Sequence, residues 1–448
     1  MAELCAGDRW AVKAKRGAVE VGSAACNLMR ERLKYRLVRG RPASKMRFPR
    51  RVLFFRVGVL LVLAAGFCAG AAAQNRIVAI GDVHGDCADF SAILQQVGLM
   101  DAQHHWAGGT ATFVQTGDIP DRGPQSRQAF DLLRQLESEA AKQGGKVFPL
   151  LGNHEVMDMV GDLRYVTPED YKNFADENSE KRREAEWEDY KKFLVFHHGH
   201  QHSLLGDDPA SKQNWMTAHP LGFFEERDAM GPKGDYGSWL RSHDAIAQVG
   251  EILLMHGGLD PSLRFKNLRE LNEGIREQIA LYDSLWESLS KRHVIWRYMT
   301  FGEALKQIQE EYMAMRARGM PDQEAMDEMK RLNDMTSGLL FAPTSPLWYR
   351  GYALEPEEKL RPGFDAMMKR LKAQYLVAAH TVNQKYKITP HLDNHVFLID
   401  TGMLTPYFGG RASALIIEGG TFKAVYLGGE SQVLLSPSAS GGAAKAQP

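Results

Sequence analysis

The sequence predicts an α/β fold, and three observations carry that expectation. Short apolar or β-branched runs recur along the chain, each bounded by Gly, Asp or Asn, as buried or half-buried strands should be. Helical patterns separate the early runs, and alternation of strand with helix is the mark of α/β architecture. The composition is that of a folded chain: of 448 residues, 44% are apolar and 25% charged. That excludes a largely disordered, a collagen-like or a polytopic membrane protein. The length allows two or three domains, or one large elaborated domain.

Strands are predicted over 76–80, 110–115 and 146–151, with helices over 89–96 and 125–143 between them. Further strands are predicted over 251–255, 374–379, 396–399, 412–417 and 422–427. The last three follow one another without helices, which predicts an antiparallel meander. Two segments interrupt the alternation. Residues 162–192 are highly charged and predict exposed helix. Residues 263–338 are Met-rich, with Ile275, Ile279, Tyr282, Leu285, Trp286 and Leu289 spaced for one helix face. Both are expected to be helical insertions that either cap the functional site or bury their own faces. Ser, Gly, Ala and Pro dominate the C-terminus, so the body is expected over 74–430 and a disordered tail over 431–448.

The formal charge is zero, with 55 Lys+Arg against 55 Asp+Glu, but the zero sums unlike parts. Residues 1–56 hold 15 Lys/Arg against the four acids Glu3, Asp8, Glu20 and Glu31, a net +11, which leaves −11 on the remainder. Arg47, Arg50, Arg51 and Arg56 flank a charge-free run over 57–73 that ends in Ala71, Ala72 and Ala73. Residues 46–73 are therefore expected to be a signal peptide cut before Gln74, or else a membrane anchor through 57–73; a buried core segment is the remaining reading. Either export reading puts the body outside the membrane, in the periplasm or secreted, because the positive flank stays cytoplasmic. Membrane contact is expected only through this segment if it is left uncut. Residues 1–45 are too long for a signal-peptide flank. Met46 is the expected translation start and 1–45 an untranslated basic extension, the alternative being a basic cytoplasmic tail. Cys5, Cys26 and Cys68 all precede Gln74, so Cys87 is left with no internal disulfide partner. The balanced charge offers nothing to a nucleic acid. An acidic body disfavours acidic substrates at long range, so a site for an anion has to carry its own positive charge.

Five predicted strands run directly into residues that ligate metals. Ile80 leads into Asp82 and His84 (GDVHGD), Gln115 into Asp118, Asp121 and Arg122 (GDIPDRG), and Leu151 into Asn153, His154 and Glu155 (GNHE). Met255 leads into His256 (HGG), and Ala379 into His380. Ligands bind at the carboxyl ends of strands in α/β folds, so these five ends are expected to converge. The mixture of carboxylate, imidazole and amide oxygen suits Mn²⁺, Fe²⁺ or Zn²⁺, and the absence of thiolates argues against a structural zinc site. Two ions about 3.5–4 Å apart bind a phosphoryl oxygen and acidify a shared water. Arg122 is placed to clamp a phosphate.

GDVHG, GDIPDRG, GNHE and HGG, in that order, resemble the signature blocks of the phosphoprotein phosphatases of the calcineurin-like metallophosphoesterase superfamily. The SPLWYR block ending in Arg350, with Ala379-His380-Thr381 and Ile399-Asp400-Thr401-Gly402, is similar to the bacterial-type branch called Shewanella-like protein phosphatases. The resemblance covers about 76–427 and implies a metallophosphoesterase-type β-sandwich of mixed sheets flanked by helices. It implies two divalent ions, Mn²⁺ first with Fe²⁺/Fe³⁺ or Zn²⁺ as alternatives. It implies Asp82 and His84 on the first ion, Asp118 bridging, and Asn153, His256 and His380 on the second. Arg122, Asn153 and Arg350 would bind the substrate phosphate. His154, held protonated by Asp121, would be the general acid while a metal-bound hydroxide attacks phosphorus in line. The implied activity is phosphomonoester hydrolysis on a phosphoprotein, at Ser/Thr or Tyr. The alternative substrate is a small phosphorylated molecule such as a dinucleoside polyphosphate. Ile119-Pro120 and Ala378-Ala379 depart from the eukaryotic serine/threonine pattern and bear on substrate choice rather than on the metals.

Other residues fit plainer roles. The His197-to-His202 run (HHGHQH) lacks matching acidic or Cys partners and is expected to be a polar loop. His391, His395, Asp260 and the His104-His105-Trp106 stretch are expected in surface loops or turns. Cys87 is expected to pack at a helix start. Asp86 is weighed evenly as a support for the metal loop, and Trp348 and Tyr349 evenly as walls of a phosphate pocket.

Overall fold

The computed structural model describes residues 76–198, 208–319 and 322–437. The basic extension, Met46, the 57–73 run, His200, His202 and residues 438–448 lie outside the described residues, so the expectations made for them are not addressed. Eleven strands are described: β1 (Ile77–Ile80), β2 (Thr112–Gln115), β3 (Lys146–Pro149), β4 (Ile246–Val249), β5 (Ile252–Met255), β6 (Tyr375–Ala378), β7 (Thr389–His391), β8 (Val396–Leu398), β9 (Ser413–Glu418), β10 (Thr421–Tyr426) and β11 (Ser431–Leu435). They form a six-stranded sheet, β11-β10-β9-β1-β2-β3, and a five-stranded sheet, β4-β5-β6-β8-β7. Both are mixed. β1, β2 and β3 are parallel, as are β5, β6 and β8, and antiparallel strands complete each sheet.

The period of two along each strand explains the layering. On β1, Ile77 and Ala79 join one buried cluster with Leu254, Val377, Phe397, Leu415 and Phe422, drawn from both sheets. Val78 and Ile80 face the other way, into the cluster built with the helices. Phe397 and Phe422 stack across the first cluster with ring centres 4.5 Å apart. A sandwich of two sheets covered by helices follows, as expected.

All eight expected strands form, and three corrections apply. First, β8 leaves the expected meander: it pairs in parallel with β6, and a short helix, Thr405–Phe408, separates it from β9. The meander is β9-β10-β11 instead. Second, β11 extends the body to Leu435, past the boundary expected at 430. Its strand residues Val433, Leu434 and Leu435 sit beside a Ser/Pro-rich stretch that masked them. Third, β4 and β7 were not expected. β4 reaches β5 through the two-residue turn Gly250-Glu251, where Gly250 has φ 61°.

The insertions are helical. The first holds helices Pro168–Lys172 and Ser179–His198, which are less exposed than their charge suggests: Trp187 and Phe193 are buried, Trp187 against the Trp215 ring and Phe193 against that of Tyr190. The second holds Leu268–Lys291, Phe301–Arg318 and Gln323–Asp334. Ile275, Ile279, Tyr282, Leu285 and Leu289 are buried as expected, while Trp286 is half-buried. This insertion braces the helix Asn153–Val160 that follows β3. The Tyr282 hydroxyl donates to the Val160 carbonyl at 2.6 Å, and the Phe301 amide donates to the Gly161 carbonyl at 2.9 Å.

Candidate metal centre

The five strand exits converge as expected. The amides of Val83 and His84 donate to the Asp118 carbonyl at 2.9 and 3.0 Å, which ties the β1 exit to the β2 exit. Glycine makes the approach of β2's exit to β3's possible: a Cβ on Gly117, which has φ 98°, would lie 2.3 Å from the Gly152 amide nitrogen. His84, Asp118, Asp121, Arg122 and His380 also hold positive φ, from 51° to 76°. Non-glycine residues seldom adopt this conformation, and where they do the surrounding structure has to hold them there.

The Asp118 carboxylate is central. Its Oδ1 accepts from the His154 amide at 3.0 Å. Its Oδ2 lies 3.2 Å from His256 Nε2, 3.7 Å from His84 Nε2 and 3.8 Å from His154 Nε2. His256 Nε2 also lies 2.9 Å from Asn153 Oδ1 and 2.8 Å from His380 Nδ1. On the other side, Asp82 Oδ2 lies 3.7 Å from His84 Nε2, and its Oδ1 3.7 Å from His256 Nδ1. Each of these seven residues is at most 6% exposed.

The donor set fits cations. Around His256 Nε2, Asp118 Oδ2, Asn153 Oδ1 and His380 Nδ1 offer acceptor lone pairs, and one imidazole proton can satisfy only one of them. Separations near 3 Å are the edges of a coordination sphere of about 2.1 Å radius, the size of a divalent ion held by nitrogen and oxygen. Asp118, His256 and His380 form one cluster able to hold an ion, and His84, Asp118 and His154 another. They share Asp118. Burial works to depress His256, but the Asp118 and Asp82 carboxylates outweigh it and raise the imidazole to about 9. Burial works to raise Asp118, and the surrounding imidazoles pull it well below its ordinary value. The pocket therefore attracts positive charge.

Two arginines stand at the rim. Arg350 Nη1 donates to the His380 carbonyl at 2.6 Å and to Thr381 Oγ1 at 3.0 Å. Arg122 touches the His84 ring, and its guanidinium carbon lies 5.0, 5.5 and 5.3 Å from the ring centres of Tyr165, Tyr407 and Phe408. His154 Nδ1 is hydrogen-bonded to Asp121 Oδ2, with Nε2 turned toward Asp118. Burial pushes His154 down to about 3, and burial with the nearby Asp118 and Asp170 carboxylates pushes Asp121 well above its usual range. Both shifts move the shared proton of this hydrogen bond toward the carboxyl.

Comparison with known proteins agrees with this geometry. Residues 75–384 match the family described as calcineurin-like phosphoesterase. The chain belongs to that family. It is 29% identical over 360 residues to an uncharacterised protein of Schizosaccharomyces pombe, covering 79% of this chain and 81% of that one. It is 24% identical to Shewanella-like protein phosphatase 1 of Plasmodium berghei, over 79% of this chain and 75% of that protein. Among solved structures, the cold-active protein-tyrosine phosphatase of a psychrophilic Shewanella species shares the fold, with a TM-score of 0.51 at 22% identity over 81% of each chain. The protein is a metal-dependent phosphatase with Shewanella-like protein phosphatase homologues.

Within this phosphoesterase, several residues near the centre had no role assigned from the sequence. Glu155 is the foremost: its buried carboxylate accepts from the amides of Gly152 at 2.7 Å, Asp118 at 2.9 Å and Ile119 at 2.7 Å. Burial, aided by the Asp118 charge, raises it to about 7. The GNHE block displayed this residue, but its partners lie 36 and 37 positions away. Tyr165, from the charged insertion, faces His154 at 5.1 Å, and its carbonyl accepts from the Arg122 amide at 2.9 Å. Asp400 lies beside Asp82, and burial holds its carboxyl well above the usual range.

The plainer roles are settled by contacts. Asp86 caps the helix Cys87–Gln96 by accepting from the Asp89 amide at 3.0 Å. Cys87 opens that helix, and burial pushes its thiol up, away from reactivity. Tyr349 is buried against Tyr352, whereas the Trp348 ring approaches His380 edge-on at 6.0 Å. His391 lies in β7 near Glu357, and His395 bonds to the Gln374 carbonyl. Asp260 caps a turn through the Ser262 amide. His105 pairs with Glu139, but Trp106 is buried rather than at the surface. The expected polar loop does not begin at His197, which lies with His198 in the helix Ser179–His198 and has Glu311 3.4 Å away.

Proposed function

We propose that the protein is a dinuclear-metal phosphomonoesterase that acts on phosphoproteins, with phosphotyrosine as its preferred group. The two donor clusters that share Asp118 carry the dinuclear reading. Asp82 and His84 would hold one ion, Asn153, His256 and His380 the other, and Asp118 both. When bound, two such ions neutralise phosphoryl oxygens and acidify water. Arg122 and Arg350, with the Asn153 amide, would grip the remaining phosphate oxygens and supply local positive charge on an acidic body. His154 Nε2 gives its proton to the leaving oxygen as the phosphorus–oxygen bond breaks. Asp121 returns its own proton to Nδ1, so no charge is stranded on the buried ring. Solvent then re-protonates the pair.

Tyr165, Tyr407 and Phe408 support the aryl preference. They surround Arg122, and Tyr407 is 58% exposed at the mouth, where it can lie against a substrate ring. The test is a rate panel on the full-length protein with Mn²⁺: phosphotyrosine peptide, phosphoserine peptide and diadenosine tetraphosphate. Phosphotyrosine peptide should be fastest. A higher rate on the dinucleotide overturns the phosphoprotein reading. Asp118→Asn should abolish every activity, and survival of any would sink the dinuclear reading. We also propose export, from the charge-free run over 57–73; a mature protein isolated from cells should begin at Gln74.

A further inference from the structure

Segment 162–166 has two sides. Tyr165 turns toward the metal centre, as described above. Its neighbours Arg164 and Val166, with Leu163, line a cavity of about 760 Å³. Consecutive Cα atoms are about 3.8 Å apart, so this cavity begins one residue from a contact of the phosphate-binding arginine. The rest of the lining includes Thr217, Ala218 and Phe223 from between the insertions, Phe301, Gly302 and Leu305 from the second insertion, and Phe341 just after it. The lining is mainly apolar. The charges of Arg164 and Asp162 are already spent on each other, with two hydrogen bonds at 2.8 and 2.6 Å. The volume falls within the about 300–1,000 Å³ usual for ligand pockets.

We propose that this cavity is a docking groove for an apolar side chain of the substrate polypeptide, within about three residues of the phosphorylated one. The inference rests on the phosphoprotein reading. Continuity with the centre argues for this occupant: one five-residue segment walls both, so a chain whose phosphate is held by Arg122 passes over Tyr165 into the groove. An extended chain advances about 3.3–3.6 Å per residue, which sets the reach.

Gly302 permits a test that spares the fold. It is exposed, lies inside the helix Phe301–Arg318, and a Cβ there meets nothing within 4 Å. Replacing a helical glycine does not weaken the helix. Gly302→Trp should fill the groove from one wall, and Ala218→Trp from the other. On a phosphotyrosine peptide with Leu or Phe near the phosphoresidue, each should raise KM about tenfold, the loss of one buried apolar side chain, with kcat unchanged. Neither should change KM for an aryl phosphate or for a peptide flanked only by Gly and Ser. Unchanged KM on the apolar peptide overturns the groove and leaves the phosphoprotein reading standing. An equal loss on aryl phosphate also overturns it, because the substitution then acts on the centre. A wild-type protein that hydrolyses aryl phosphate but no phosphopeptide refutes both readings together.

Discussion

Glu155→Gln tests a support of the centre without replacing any candidate metal-binding side chain. The carboxylate accepts three backbone amides, two at Oε2 (Gly152 and Asp118) and one at Oε1 (Ile119). A glutamine of the same shape keeps its oxygen toward Gly152 and Asp118, and its amino group then opposes the Ile119 N–H. One charge-assisted bond is lost, at about 1.5–3 kcal/mol, and the other two weaken because the acceptor is now neutral. The chain should still fold, since native stability is about 5–15 kcal/mol. The larger effect is on geometry. Asp118 sits at φ 59°, a conformation its backbone does not favour, and Glu155 holds both it and the next residue by their amides. Supports of this kind typically cost about 10–100-fold in metal affinity when removed. Titrating Mn²⁺ into metal-stripped protein, by activity and by calorimetry, should show that loss, with kcat recovering at saturating metal. Wild-type affinity in the variant would refute the argument and reduce Glu155 to a helix cap.

Three further outcomes are expected. Chelator should abolish activity and most affinity for inorganic phosphate, measured by calorimetry, because the rim arginines alone then face the buried Asp82 and Asp118 carboxylates. His154→Gln should lower kcat on a phosphoserine peptide by about 10²–10⁴, the usual worth of a general acid, and markedly less on a nitrophenyl phosphate whose leaving group departs unprotonated; equal losses would remove His154 from that role. Glu226 is buried, both its oxygens lack a partner among the described residues, and burial raises it to about 8. Its native carboxyl keeps a proton that the unfolded chain loses above its ordinary 4.5, so stability is fully present below that pH and falls as pH rises toward 8, by up to about 5 kcal/mol. Glu226→Gln should therefore unfold at higher temperature than wild type at pH 8 and show no such gain at pH 4.5, and a gain independent of pH would contradict the linkage.

The convergence of the candidate ligands was legible because each follows its strand within four residues. Bringing Asp82, His84, Asp118, Asn153, His256 and His380 near one another needed only the rule that strand ends converge, and the structure brings all six together. What was illegible depends on distance in sequence. Glu155 works on amides that only the meeting of two loops brings near. Tyr165 sits in a segment whose charge disguised it. β11 was hidden by serines, and the place of β8 by its closeness in sequence to β9. The upward shift of Asp121 was also beyond the sequence, because it comes from burial near carboxyls of distant segments. Asp121, Asp158, Asp170 and Glu226 all lie in the interior; burial raises each, and neighbouring acids add to this for Asp121, Asp158 and Glu226. That cluster gives the negative body charge a consequence at the centre. Raised in this way, Asp121, Asp158 and Glu226 carry less charge to repel an incoming phosphate. The Asp82 and Asp118 carboxylates, drawn down by the imidazoles around them, are the ones placed to meet cations.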